Sequence, residues 1–225
     1  MPRFDRPVLM WVTDRAQADA PLPSLAGPIS AAGADLIQIR EPGLDRLPEE
    51  LLARAIQSVI QSSTRIVINS NIELARKLQV GVHLPERGPS IAAARGALGT
   101  EALVGRSVHS PESAAASVGA SYLIAGHVFE TGSKAGRVPL GLDQFAEIVR
   151  HAPAPVLAIG GITPERVADV LAKGAAGVAV MNPLSSLVTS GELTARYRAA
   201  LEQFMTESTR RTIDATINGK TVELP

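Results

Sequence analysis

Eight short runs of β-branched and aliphatic residues, each followed by a longer segment rich in alanine, leucine and charge, set the rhythm of this chain. The runs are Val8 to Thr13, Leu36 to Ile39, Arg65 to Ile68, Gly81 to Leu84, Leu103 to Ser107, Tyr122 to Ala125, Val156 to Ile159 and Gly177 to Val180. Most lack apolar–polar alternation, which predicts strands buried on both faces, as in a parallel sheet covered by helices. The segments between them have helical spacing: Pro23 to Ala32, Leu47 to Ser62, Ile72 to Leu78, Ser90 to Leu98, Pro111 to Ser117, Leu142 to His151, Pro164 to Ala172 and Glu192 to Glu207. Ser110-Pro111 and Thr163-Pro164 each put a capping hydroxyl before a proline at the first helical position. Eight βα units of about 25 residues fit one closed (β/α)8 TIM barrel over residues 1–209 better than an open sheet. With 45% hydrophobic but only 3% aromatic residues, its core must be aliphatic.

Residues 210–225 break the rhythm. Two alternating stretches flank Asn218-Gly219, a dipeptide that favours a two-residue hairpin turn. The expectation is a β-hairpin-like C-terminal tail outside the barrel, mobile because a lone hairpin is marginal in water.

Charge and composition narrow the function. Lys plus Arg (22) equals Asp plus Glu (22), so there is no basic field for a phosphate backbone and no single-sign face for a membrane. The chain has no cysteine, hence no disulfide framework, thiol nucleophile or Cys-ligated zinc. No apolar run approaches the roughly 20 residues of a membrane span, and the N-terminal apolar run is too short for a signal peptide. The cytoplasm is the expected location.

In a barrel of this kind chemistry sits at the carboxyl ends of the strands, and polar residues gather there. Gly160-Gly161, after the seventh strand, offers bare backbone amides to a phosphate, with Met181 and Asn182 after the eighth adding more. His127, just past the sixth strand, is the candidate acid/base. It is followed by Thr131, Ser133 and Lys134, the last a point charge suited to phosphate. His109 is a weaker candidate for the same role, whereas His83 and His151 read as structural. Arg40 has the planar fork that suits a carboxylate, unless it pairs with its neighbour Glu41. Gln38, Asn69 and Ser107 complete the polar set. No His, Asp or Glu cluster has metal-ligand spacing, so neither a metal nor a cofactor is expected.

Gln38-Ile39-Arg40-Glu41, Gly105-Arg106-Ser107-Val108-His109-Ser110, Gly126-His127-Val128-Phe129-Glu130-Thr131, Ala158-Ile159-Gly160-Gly161-Ile162 and Gly177-Val178-Ala179-Val180-Met181 together resemble the thiamine phosphate synthase and TenI superfamily. The likeness runs from about residue 8 to 205. Synthases of that superfamily carry two aspartates that hold magnesium on a pyrophosphate substrate; by alignment their positions are Ser70 and Gly88 here. Gly126-His127 is similar to the TenI-like form. The resemblance therefore implies a metal-independent thiazole tautomerase, an isomerase that aromatises a thiazole carboxylate phosphate, with His127 and His109 catalytic. The alternative is a thiamine phosphate synthase, or a non-catalytic thiazole phosphate-binding regulator. The tail from Ala215 is similar to the opening hairpin of the ThiS sulfur carrier, which points to thiazole-pathway proteins as partners beside the small phosphorylated substrate. A homo-oligomer is also expected.

Overall fold

A computed structural model describes residues 4–132 and 136–217, with side chains through Arg210. Its strands are β1 (Val8–Val12), β2 (Leu36–Ile39), β3 (Arg65–Asn69), β4 (Gly81–Leu84), β5 (Val104–Val108), β6 (Tyr122–Gly126), β7 (Val156–Ile159) and β8 (Gly177–Val180). All pair in parallel and in chain order, and β8 returns to β1 in the register Val8↔Gly177 to Trp11↔Val180, closing the barrel. The helices are α1 (Leu22–Ala31), α2 (Arg46–Gln57), α3 (Ile72–Leu78), α4 (Ile91–Leu98), α5 (Pro111–Ala115), α6 (Gly141–His151), α7 (Val167–Ala172) and α8 (Ser190–Ile217). The expected (β/α)8 barrel is the observed one. Among the described residues, no helix is long and apolar enough to cross a membrane.

The strands look uniformly apolar because they separate two cores. Successive side chains alternate between the barrel lumen and the layer beneath the helices. Val8, Met10 and Val12 of β1 point inward to meet Leu36, Val67, Tyr122, Ile124, Leu157 and Ala179, while Leu9 and Trp11 face outward to Leu25, Ile29 and Tyr197 in the larger core. Toward the carboxyl ends the lumen becomes polar on one side: the inward positions above Leu36, Val67, Gly81 and Gly105 are Gln38, Asn69, His83 and Ser107. On the β6 to β8 side they are Gly126, Ile159 and Ala179. The mouth therefore has two unlike halves.

Arg198 of α8 fastens the last helix to the segments that lead into β1 and β2. Its guanidinium donates to the carbonyls of Gly33 and Pro7 and pairs with the Asp35 carboxylate, which also accepts from the Leu9 amide and from Arg6.

Three local expectations are corrected. Ser110 caps α5 as expected, its hydroxyl accepting from the Ser113 amide, but Thr163 makes no cap bond and its hydroxyl bonds the Glu165 carboxylate instead. The helix expected from Pro164 starts as a 3-10 turn (Pro164–Arg166), leaving α7 only six residues long. The tail expected to be a hairpin from residue 210 begins as helix, because α8 continues to Ile217. Extending an existing helix adds one hydrogen bond per residue fixed, with no new nucleation cost, and that outweighs the β preference of Thr212, Ile213, Thr216 and Ile217. Asn218-Gly219 and the rest of the tail lie outside the described residues.

Candidate functional site

The β6 to β8 half of the mouth holds a cavity of about 130 Å³ lined by His127, Thr131, Ile159, Gly160, Gly161, Ile162, Ala179, Met181 and Asn182 among others. Six residues singled out in the sequence thus share one wall: His127, Thr131, Gly160, Gly161, Met181 and Asn182. The loops close on each other so tightly that only glycine fits between them. Gly161 has φ +67°, and a Cβ there would lie 2.4 Å from the carbonyl oxygen of Glu130. Neither the Gly160 nor the Gly161 amide N–H bonds a backbone acceptor among the described residues. Two bare donors beside a small cavity can receive anionic oxygens.

His127 packs directly against Gly160 in this wall and is 7% exposed. Its Nε2 lies 3.3 Å from the Arg137 carbonyl, which only accepts, so Nε2 carries the proton and a neutral ring leaves Nδ1 as the acceptor. Arg166, unnoticed in the sequence, stacks its guanidinium 4.8 Å from the Phe129 ring centroid and donates to the Gly161 carbonyl at 2.9 Å. It ties the loop after β7 to the loop after β6 and brings a positive charge to the cavity rim.

Across the mouth, Gln38 Nε2 donates to Asn69 Oδ1 at 3.0 Å, and Asn69 Nδ2 donates to the Ser70 hydroxyl at 2.9 Å. Gln38 Oε1 is buried and has no partner among the described residues, an open acceptor for a ligand N–H. His83, which reads as structural in the sequence, ties this half together: Nε2 lies 2.8 Å from the Ser107 hydroxyl, and Nδ1 lies 3.2 Å from the Tyr122 hydroxyl. Burial, and then the nearby charges of Arg106 and Arg40, push its pKa from 6.5 down to about 3. It is a neutral hydrogen-bonding spacer, not a proton shuttle at physiological pH.

Arg40 is not paired with Glu41, contrary to that alternative. The Glu41 carboxylate turns inward to accept from the Thr13 hydroxyl and the Arg15 amide, and Thr13 Oγ1 in turn accepts from the Arg40 amide. The Arg40 guanidinium makes no hydrogen bond or ion pair among the described residues. His109 does not line the cavity with His127. It is half exposed and clasped by Glu86, whose carboxylate accepts from the His109 amide and faces Nδ1 at 3.1 Å. His151 spends Nδ1 on the Glu147 carbonyl at 2.8 Å, as a structural residue would. Ser133 and Lys134 lie outside the described residues.

The residues at the two aspartate positions do not make a magnesium site. Ser70 offers a hydroxyl already bonded to Asn69, and a Cβ on Gly88 would lie 2.8 Å from Pro85 Cγ. The neighbouring carboxylates are committed: Glu86 to His109, and Glu49 to Asn71 at 2.9 Å. Among the described residues no three His, Cys, Asp or Glu side chains form a metal-ligating group, whereas a hard divalent cation needs several oxygen donors. A larger cleft of about 690 Å³ opens at the opposite end of the barrel, beside Arg65 and Gly81 at the starts of β3 and β4. It is remote from the mouth.

Comparison with known proteins agrees with this architecture. The family model described as thiamine monophosphate synthase matches residues 9–184, ending ahead of the tail. A thiamine-phosphate synthase of Salinibacter ruber is 35% identical over 200 residues, 87% of this chain and 86% of the relative. Another, from Haloquadratum walsbyi, is 31% identical over 183 residues, 78% of this chain and 82% of the relative. The solved structure of thiamine phosphate pyrophosphorylase from Pyrococcus furiosus superposes with a TM-score of 0.70 at 26% identity, covering 88% of this chain and 96% of that one. These relatives overturn the expected thiazole tautomerase: the proteins that match over most of the chain carry the synthase name.

Proposed function

The chain belongs to the thiamine monophosphate synthase family, and from that premise we propose that it is a transferase that joins a thiazole phosphate to a pyrimidine carried as its diphosphate. In that reaction a carbon–oxygen bond to diphosphate breaks, a carbon–nitrogen bond to the thiazole forms, and diphosphate leaves. One observation carries the reading: a single mouth holds two unlike half-sites facing each other, a small glycine-walled anion pocket over β6 to β8 and a polar, arginine-flanked half over β2 to β5. A condensing enzyme needs such a pair, because holding two reactants in register supplies about 7–11 kcal/mol of the barrier.

In this reading the amides of Gly160 and Gly161 and the segment Met181-Asn182 take the thiazole phosphate. Thr131, which lines the same cavity, contributes its hydroxyl from the loop after β6. Gln38, Asn69 and Ser107 take the pyrimidine, and Arg40 takes its diphosphate. His127 shapes the phosphate pocket.

The test is direct: the purified chain, given both substrates and magnesium, should form thiamine phosphate and release one diphosphate per product. Binding of the thiazole phosphate without turnover would favour a second reading, a non-catalytic binder of phosphorylated thiazole. The loss of both carboxylates, at Ser70 and Gly88, is what supports it.

A further inference from the structure

Barrel order places four positions side by side: Arg40 after β2, Ser70 after β3, Gly88 after β4 and Arg106 within β5. The two positions without carboxylates are therefore flanked by two guanidinium groups. Neither guanidinium is paired with a carboxylate among the described residues. Arg106 donates only to the carbonyls of Pro89 and Glu86, which tie down the loop carrying Gly88 and leave its charge uncompensated. Arg40 is unengaged and half buried at the rim. The acids that could neutralise them are turned elsewhere: Glu41 to Thr13 and Arg15, Glu49 to Asn71, Glu86 to His109.

The charge arithmetic is simple. Replacing two aspartates by serine and glycine raises the local charge by two units, the same change that one divalent cation would bring. A diphosphate entering this half meets two fixed positive charges and no carboxylate to be bridged. Guanidinium groups bind phosphate oxygens by charge-assisted hydrogen bonds. We propose that this half-site holds diphosphate directly on arginine, with Arg40 as the contacting group and Arg106 as a fixed charge beneath the loop, without a divalent cation. The identity of the anion rests on the synthase reading above.

Calorimetric titration of the full chain with inorganic pyrophosphate tests the proposal, once in excess EDTA and once in magnesium. The wild-type dissociation constant should agree within about threefold between the two buffers. Arg40→Gln should weaken binding in EDTA by about tenfold or more, the scale of one charge-assisted hydrogen bond. Ser70→Asp, tolerable at the φ of +65° found there because aspartate accepts that region, should weaken binding in EDTA and regain it when magnesium is added. Circular dichroism checks that both variants fold. Wild-type binding seen only with magnesium, no binding in either buffer, or an Arg40→Gln variant that binds like wild type would each overturn the proposal. The outcome is separable from the synthase reading, which is judged by condensation in magnesium whether or not pyrophosphate binds in EDTA.

Discussion

A methyl group on Gly160 would stand 2.2 Å from the Cβ of His127 and 2.6 Å from its Cα. The histidine thus rests on the glycine's bare face, and the backbone on either side is pinned by the bonds from Val128 N to Ile159 O and from Phe129 N to Gly160 O. Gly160→Ala, at φ +96°, has to strain the turn and displace the ring together. It should cost about 2–4 kcal/mol of stability, by backbone strain plus overpacking. Phosphate affinity should fall at least tenfold. Urea denaturation and a phosphate titration measure the two effects; a variant with unchanged affinity would place the anion elsewhere.

Arg198 satisfies two backbone carbonyls and one carboxylate from a position only 7% exposed. Arg198→Ala should destabilise the barrel by about 3–5 kcal/mol, the range for breaking a buried pair and stranding its partner. Arg198→Lys should recover less than half of this, because an ammonium cannot reach the Gly33 and Pro7 carbonyls and the Asp35 carboxylate as a planar fork does. Thermal or chemical denaturation of the two variants gives the comparison.

His83 makes stability pH-dependent with a defined sign. Its folded pKa, about 3, lies below the ordinary 6.5, so the unfolded chain takes up a proton that the native ring refuses. The contribution is fully present above about pH 6.5 and is lost as pH falls toward 3. Over that window this one group should add a slope of up to about 1.4 kcal/mol per pH unit. His83→Gln, which keeps an acceptor and a donor, should lie below wild type at pH 7.5 and close the gap by pH 4.5. Parallel curves in urea across that range would show that the histidine titrates in the folded state.

How far the sequence could be read follows from what each signal depends on. The strands of a barrel are short and apolar on both faces, so their positions stood out, but the alternation that sends Gln38, Asn69, His83 and Ser107 inward leaves no trace where both faces are buried. Gly160 and Gly161 were legible because close loop packing admits no other residue. The Glu86–His109 clasp spans 23 residues and the Arg198–Asp35 pair spans 163, separations at which no local pattern reports contact. Residues 210–217 carry β-branched side chains yet continue α8, because the helix leading into them propagates through a segment whose local composition favours strand. The tautomerase reading rests on two positions, Ser70 and Gly88, and fails against relatives alike over most of the chain that carry the synthase name.

Glu41 and Thr13 provide the last test, because together they set the backbone from which Arg40 projects. The Thr13 hydroxyl donates to the Glu41 carboxylate and accepts from the Arg40 amide at 3.0 Å, while the other Glu41 oxygen accepts from the Arg15 amide at 3.0 Å. The Glu41 side chain is 1% exposed, so every mismatch there goes without water. Glu41→Gln keeps one acceptor but turns an NH2 toward either a hydroxyl or an amide that already donates. Thr13→Val keeps the shape and deletes both hydroxyl bonds, stranding a carboxylate oxygen and an amide. Each should cost about 1–3 kcal/mol, the penalty for a buried polar group left unsatisfied. Because the strain falls on the strand end that carries Arg40, pyrophosphate affinity should drop in both variants, and more than in Arg54→Gln, whose guanidinium bonds only Glu50 on the outer face of α2. Equal affinities in all three proteins would mean that Arg40 finds its position without this support.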